Sequence, residues 1–185
     1  MKTPLFWGVF VVFGKSMTKP VAILVEEQYQ ILEVWYPLLR LREEGIPVVT
    51  IGSGSKDVYP SKEGYPVKVD RVIHQVVPQE FSAVIIPGGW APDFMRRYPL
   101  MVEFVKKMHE QKGIVASICH GGWMLVSAGI CQGYKATCFF AIKDDMIAAG
   151  AEYTDADVVV DRNLITSRKP EDLPRFMQEI IKKIK

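Results

Sequence analysis

Apolar and polar positions change period along this chain in a regular way. Val21–Val25 is a short continuous apolar run, the pattern of a strand covered on both faces. Residues 31–44 then carry Leu32, Trp35, Leu38 and Leu39 at helical spacing, and the pattern stops at Gly45. Residues 47–52 predict a second strand. Residues 65–70, apolar at 65, 67 and 69, predict a half-buried edge strand or hairpin arm. Ala83–Ile86 is a third buried strand, running into Pro87-Gly88-Gly89. Residues 100–111 read as a helix and Ile114–Ile118 as a fourth strand. Short helices follow over 122–128 and 142–149. Residues 158–160 and 164–166 flank Asp161-Arg162-Asn163 as a hairpin, and 171–184 close as an amphipathic helix with acids in its first turn. Strands alternating with crossover helices predict one doubly wound α/β domain, a mostly parallel sheet with helices on both faces.

Composition narrows the function classes. The chain has 185 residues, of which 49% are hydrophobic, and 23 Lys+Arg balance 21 Asp+Glu to a net charge of +2. A domain of this size buries about 70% of its unfolded surface without a metal or disulfide staple. A charge so near zero gives no basic field for phosphate backbones, so no specific nucleic-acid binding is expected. Three cysteines form no disulfide framework and predict free thiols in a reducing cytoplasm. The head of the chain is different: the apolar run 5–14 follows Lys2 and precedes Lys15. It is too short for stable membrane insertion, which needs about 20 apolar residues. It reads as a degenerate export signal, an extra ordered segment, or sequence upstream of a start at Met17. The last is favoured because the regular pattern begins at residue 20, so 1–19 is treated as an extension and 20–185 as the domain.

Ligands of such sheets bind beyond the carboxyl ends of the strands, and two of those ends carry chemistry. Ile118-Cys119-His120-Gly121-Gly122 runs from strand to helix with a cysteine at the turn, the layout of a nucleophile elbow. A thiol there faces a helix N-terminus, which favours thiolate. Pro87-Gly88-Gly89-Trp90-Ala91-Pro92-Asp93 places paired glycines after a strand, where backbone N–H groups can face an oxyanion. The histidines are His74, His109 and His120, with none after the elbow. That removes serine-type α/β-hydrolases, whose histidine follows the nucleophile, and class I glutamine amidotransferases as well. His109, among lysines, reads as a solvated surface residue; His120 is the candidate base.

These segments, with Leu32-Glu33-Val34-Trp35-Tyr36-Pro37, Ile142-Lys143-Asp144-Asp145-Met146 and Val158-Val159-Val160-Asp161, resemble the PfpI family of intracellular cysteine peptidases and deglycases, within the Parkinsonism-associated deglycase superfamily. The resemblance runs from about Pro20 to Lys185. It implies a flavodoxin-like, class I glutamine amidotransferase-like fold, no cofactor and no metal. It implies Cys119 as nucleophile, His120 as catalytic histidine, and Asp93 as an acid that orients this histidine from a neighbouring subunit. Backbone N–H groups of Gly88, Gly89 and His120 would form the oxyanion hole, and the protein would self-associate as a dimer or hexamer. The family places a glutamate against the sulfur; counting back from Tyr36-Pro37, Gln30 takes that position, and Glu33 matches a second, less central glutamate. An amide there donates to sulfur but does not titrate. Trp90 puts a large apolar surface at the mouth of the site. Cys131 and Cys138 match no catalytic motif and read as structural thiols.

The expected function is therefore a cysteine hydrolase acting on peptides or glycated proteins through a carbonyl. A glutathione-independent glyoxalase acting on small carbonyl compounds is disfavoured, because Gln30 cannot move a proton. The alternative is a non-enzymatic redox sensor or chaperone using the same thiol.

Overall fold

The computed structural model describes residues 19–185. The apolar head, and the readings offered for it, lie outside the described residues. In chain order the elements are β1 (Val21–Val25), α1 (Ile31–Glu43), β2 (Val48–Gly52), β3 (Val58–Pro60), β4 (Pro66–Lys68), β5 (Arg71–Val72), β6 (Ala83–Ile86), α2 (Ala91–Met95) and α3 (Pro99–Glu110). The second half contributes β7 (Ile114–Ile118), α4 (Gly122–Ser127), β8 (Lys135–Ala136), α5 (Lys143–Ala148), β9 (Glu152–Tyr153), β10 (Val158–Asp161), β11 (Leu164–Ser167) and α6 (Leu173–Ile184).

Seven strands form one sheet in the order β10-β11-β7-β6-β1-β2-β5. All neighbours are parallel except β10 and β11, which pair as an antiparallel hairpin, Val158 opposite Ser167. Every residue of β1, β6 and β7 is buried. That is why β1 and β6 read as unbroken apolar runs, and β7 as one interrupted only by the buried Ser117, rather than as alternating patterns. Helix α1 packs on α6 and α3 on α4, while α3 and α6 both lie on β7, so helices cover both faces as the periodicity predicts. Helix α6 buries Phe176, Met177, Ile180 and Ile181 along one stripe.

The chain passes from β1 outward to β2 and later returns to β6 on the other side of β1. The sheet's switch point therefore lies between β1 and β6, and the crevice beyond their carboxyl ends is the natural ligand position. The residues after β1, β6 and β7 all meet there. One appendage projects beside it: β3 and β4 form a separate hairpin, with Tyr59 opposite Val67. The residue pattern had marked only the second arm, and the three-residue first arm is too short to show a period. The small pair β8–β9 and the helix α2 escaped for the same reason.

Candidate active site

The site is assembled from three turns. Strand β7 ends at Ile118 in extended backbone, and Cys119 follows at φ 59°, a left-handed conformation rare for a side-chain-bearing residue. The reversal swings the cysteine off the strand, and the chain then winds through His120 into α4. Gly121 makes this crossing possible, because a Cβ there would lie 2.5 Å from the Ile86 carbonyl oxygen. Gly89, at φ 73°, is equally constrained: a Cβ would meet the backbone of Gln28, Tyr29 and Gln30 at 2.5–2.8 Å. The turn after β1 is bonded directly to this loop. Gln30 N–H donates to the Gly88 carbonyl at 3.2 Å, and Trp90 N–H to the Gln28 carbonyl at 2.9 Å.

Cys119 and His120 come together as expected: Sγ lies 3.4 Å from Nδ1 of the adjacent imidazole. The backbone N–H groups of His120 and Gly89 are directed at the sulfur. Gly88 is not available for the role expected of it. Its N–H donates to Oε2 of Glu33 at 2.6 Å, so of the three expected oxyanion donors only the N–H groups of Gly89 and His120 face the sulfur. Gly88 must nonetheless lack a side chain. A Cβ would lie 2.8 Å from each of three atoms: Cys119 Cβ, Glu33 Oε2 and His120 N.

The acid that stands beside the sulfur is Glu33, not Gln30. Gln30 is the N-cap of α1, and its Oε1 accepts the Glu33 N–H at 3.0 Å. The two residues are three positions apart, close to one helical turn, so both face the same cleft and the residue count chose the wrong one. Glu33 is fully buried, and its Oε1 has no hydrogen-bond partner among the described residues. Burial pushes the Glu33 carboxyl up to about 7, against the Gly88 N–H, which stabilises its charged form.

Cys119 does not meet the expectation of a resting thiolate. Burial and then the Glu33 charge push its thiol up to about 12, outweighing the two N–H groups that favour the anion. The thiol therefore keeps its proton, and when Glu33 is protonated its share of the repulsion is removed. Burial, and secondarily the Lys62 charge, pull the His120 imidazole below its ordinary range, leaving it neutral and able to accept a proton.

A cleft of about 230 Å³ opens over the sulfur, lined by Gln30, Glu33, Lys62, Gly89, Trp90, Cys119, His120, Phe139 and Pro170. Its walls are aromatic. The His120 ring lies 4.9 Å from Phe139, 5.2 Å from Trp123 and 5.9 Å from Trp90. Trp90 is 53% exposed and stands at the mouth, as its position after the glycines suggested. Pro170 is held in place by its neighbour Arg168, which binds Asp155 at 2.8 Å and Asp172 at 3.0 Å. Lys62, Phe139 and Pro170 carried no sequence motif; they reach the cleft through loops that only the fold brings near.

Asp93 does not touch His120 of its own chain. It pairs with Arg97 and borders a separate open groove with Arg96, Trp123 and Asp145. His109 is half-buried rather than solvated, edge-on to Tyr134 at 5.1 Å, with Nε2 unpartnered. Cys131 and Cys138 are buried thiols. Among the described residues no group of three or more His, Cys, Asp or Glu side chains is placed to hold a metal ion, and no helix is long and apolar enough to cross a membrane.

Comparison with known proteins agrees with the fold. The chain is 45% identical over 165 residues to a deglycase of Pyrococcus abyssi, covering 89% of this chain and 99% of that one. It is 36% identical over 168 residues to protein/nucleic acid deglycase 2 of Escherichia coli, covering 90% and 98%. Its fold superposes with a TM-score of 0.88 on a two-domain protein of Anabaena variabilis containing DJ-1/ThiJ/PfpI-like and ferritin-like domains. That match is 42% identical and covers 90% of this chain and 50% of the longer one. The profile of the DJ-1/PfpI family matches residues 19–183, nearly the whole described chain, and the protein belongs to that family.

Proposed function

We propose that this protein is a cysteine-dependent hydrolase of the PfpI type, acting as a deglycase on carbonyl adducts of amines. The observation that carries this reading is the cluster at Cys119: Nδ1 of His120 at 3.4 Å, two backbone N–H groups at the sulfur, and a buried carboxyl beside it. A nucleophile, a base, oxyanion donors and a second proton carrier are the parts that carbonyl chemistry requires. The deglycase names of similar chains support the choice of substrate.

Neutral His120 takes the thiol proton through Nδ1. For a methylglyoxal adduct, the thiolate displaces the amine from the hemiaminal carbon, and the amine leaves with a proton returned by His120. The resulting hemithioacetal becomes a lactoyl thioester when a proton moves between its adjacent carbons. Glu33, next to the sulfur and close to neutral in its titration, suits that transfer. The objection raised by Gln30 therefore falls, and free methylglyoxal becomes an accessible substrate. Water then releases lactate. A peptide would follow the acyl version, its oxyanion meeting the N–H groups of Gly89 and His120, each such donor worth about 100-fold in rate. Asp93 has no contact with its own His120, so its orienting role belongs to an assembled oligomer, in which a second copy brings it to the imidazole.

The test is a side-by-side assay on a methylglyoxal-modified peptide, free methylglyoxal and casein, with Cys119→Ala as control. Loss of all turnover in the variant is expected, and full activity overturns the covalent mechanism. Dilution to monomer should also lower specific activity; equal activity in monomer and oligomer overturns the role of Asp93. A protein that turns over none of these substrates, yet changes chaperone behaviour when peroxide oxidises Cys119, would be the redox sensor instead.

A further inference from the structure

The β3–β4 hairpin lies outside the main sheet, yet its turn is pinned to the site. Gln28 N–H donates to the Pro60 carbonyl at 2.9 Å, and Lys62 N–H to the Tyr29 carbonyl at 3.0 Å. Tyr29 Oη donates to the Tyr65 carbonyl at 2.7 Å. Within the turn, Ser61 N–H meets the Tyr65 carbonyl at 2.8 Å, and Ser61 Oγ accepts from the N–H groups of Glu63 and Tyr65, both at 3.1 Å. This bracing holds the backbone of Lys62 at the rim of the Cys119 cleft.

Among the described residues, Lys62 is the one permanently cationic side chain lining that cleft, since His120 is held neutral. Its Nζ is not committed elsewhere: the nearest carboxylate, Glu63 Oε1, is 3.7 Å away, and both side chains are nearly half exposed. Such a pair is weak and easily exchanged. The rest of the lining is aromatic or apolar at Trp90, Phe139 and Pro170, with Gln30 and the fully buried Glu33 carboxyl below, so the half-exposed ammonium is the available partner for an anionic substrate group.

We propose that Lys62 recognises an anionic group, a carboxylate one or two atoms from the reactive carbon, and so makes this cleft selective for acidic carbonyl compounds and their adducts. Methylglyoxal-type adducts are neutral at that position; adducts of an oxo acid such as glyoxylate carry the charge. This deepens the hydrolase reading and rests on it for the substrate, but the charge preference can be measured without any turnover.

The first measurement is alkylation of Cys119 by iodoacetate and iodoacetamide, probes of similar size that differ in charge, with mass spectrometry assigning the modified cysteine. The ratio of the two rates, normalised to that of glutathione, is expected to fall about fivefold in Lys62→Met and to be retained in Lys62→Arg, as for removal of one nearby partly screened charge. It should also fall in high salt. An unchanged ratio in Lys62→Met overturns the proposal. The second measurement compares KM for glyoxylate-modified and methylglyoxal-modified peptides. Lys62→Met should raise only the former, and an equal effect on both also overturns it. If the alkylation ratio behaves as expected but neither peptide is hydrolysed, the hydrolase reading fails and the anion preference of the cleft stands.

Discussion

Oε1 of Gln30 accepts the backbone N–H of Glu33 at 3.0 Å, and this cap turns the Glu33 carboxyl inward onto the Cys119 sulfur and the Gly88 N–H. The cap thus ties the start of α1 to the placement of a carboxyl buried beside the sulfur. Gln30→Ala should cost about 1 kcal/mol in denaturant unfolding, the usual size of a lost cap. Its effect on kcat should exceed that on KM, because the damage falls on the alignment of Glu33. Gln30→Asn or Gln30→Ser, able to cap in turn, should recover most of the stability.

Glu33 also gives the fold a pH dependence. Its carboxyl titrates near 4.5 when unfolded and near 7 when buried, so the folded chain keeps a proton that the unfolded chain releases between those values. Stability is then fully present below about pH 4.5 and is lost as pH rises toward 7. The slope approaches about 1.4 kcal/mol per pH unit, the value for one proton of difference. Glu33→Gln should flatten this slope in unfolding curves measured from pH 4.5 to 7. A variant with the native slope would place the titration elsewhere.

The left-handed backbone of Cys119 implies a cost that glycine would not carry. Cys119→Ala and Cys119→Gly should both be inactive. Cys119→Gly should nevertheless be the more stable of the two by about 1 kcal/mol, since only glycine occupies φ 59° freely. Equal melting temperatures would show that the turn is not strained.

Gly88→Ala should be severely damaging although it adds a single methyl group. The new Cβ would lie 2.8 Å from each of Cys119 Cβ, Glu33 Oε2 and His120 N. Relief requires moving the nucleophile, so activity should fall at least tenfold alongside a stability loss of about 1–3 kcal/mol. The same change at Gly129, at φ 67° but with open space around it, should leave activity intact.

Much of this centre can be read from the residues themselves. Strands β1, β6 and β7 appear with their observed limits, because burial on both faces leaves near-continuous apolar runs. The strand–Cys–His–Gly turn identifies the elbow. The partner of the sulfur is harder to read, because Gln30 and Glu33 lie almost one helical turn apart, and only the cap geometry decides which of them points in. The Gly88 N–H was misassigned because a donor's partner depends on Glu33, 55 residues away. Lys62 was invisible for a similar reason: hydrogen bonds to Gln28 and Tyr29 bring its hairpin to the site, and no local pattern encodes them.

The turns after β6, at Gly88–Gly89, and after β7, at Cys119–Gly121, meet the turn after β1 at residues 28–30, and main-chain contacts among them fix where Cys119, His120 and Glu33 stand. The side chains that face a substrate, Lys62, Trp90, Phe139 and Pro170, stand on loops around it. Chemistry and selectivity are therefore inherited through different atoms. A substitution at one of these wall positions thus leaves the backbone contacts of the elbow in place.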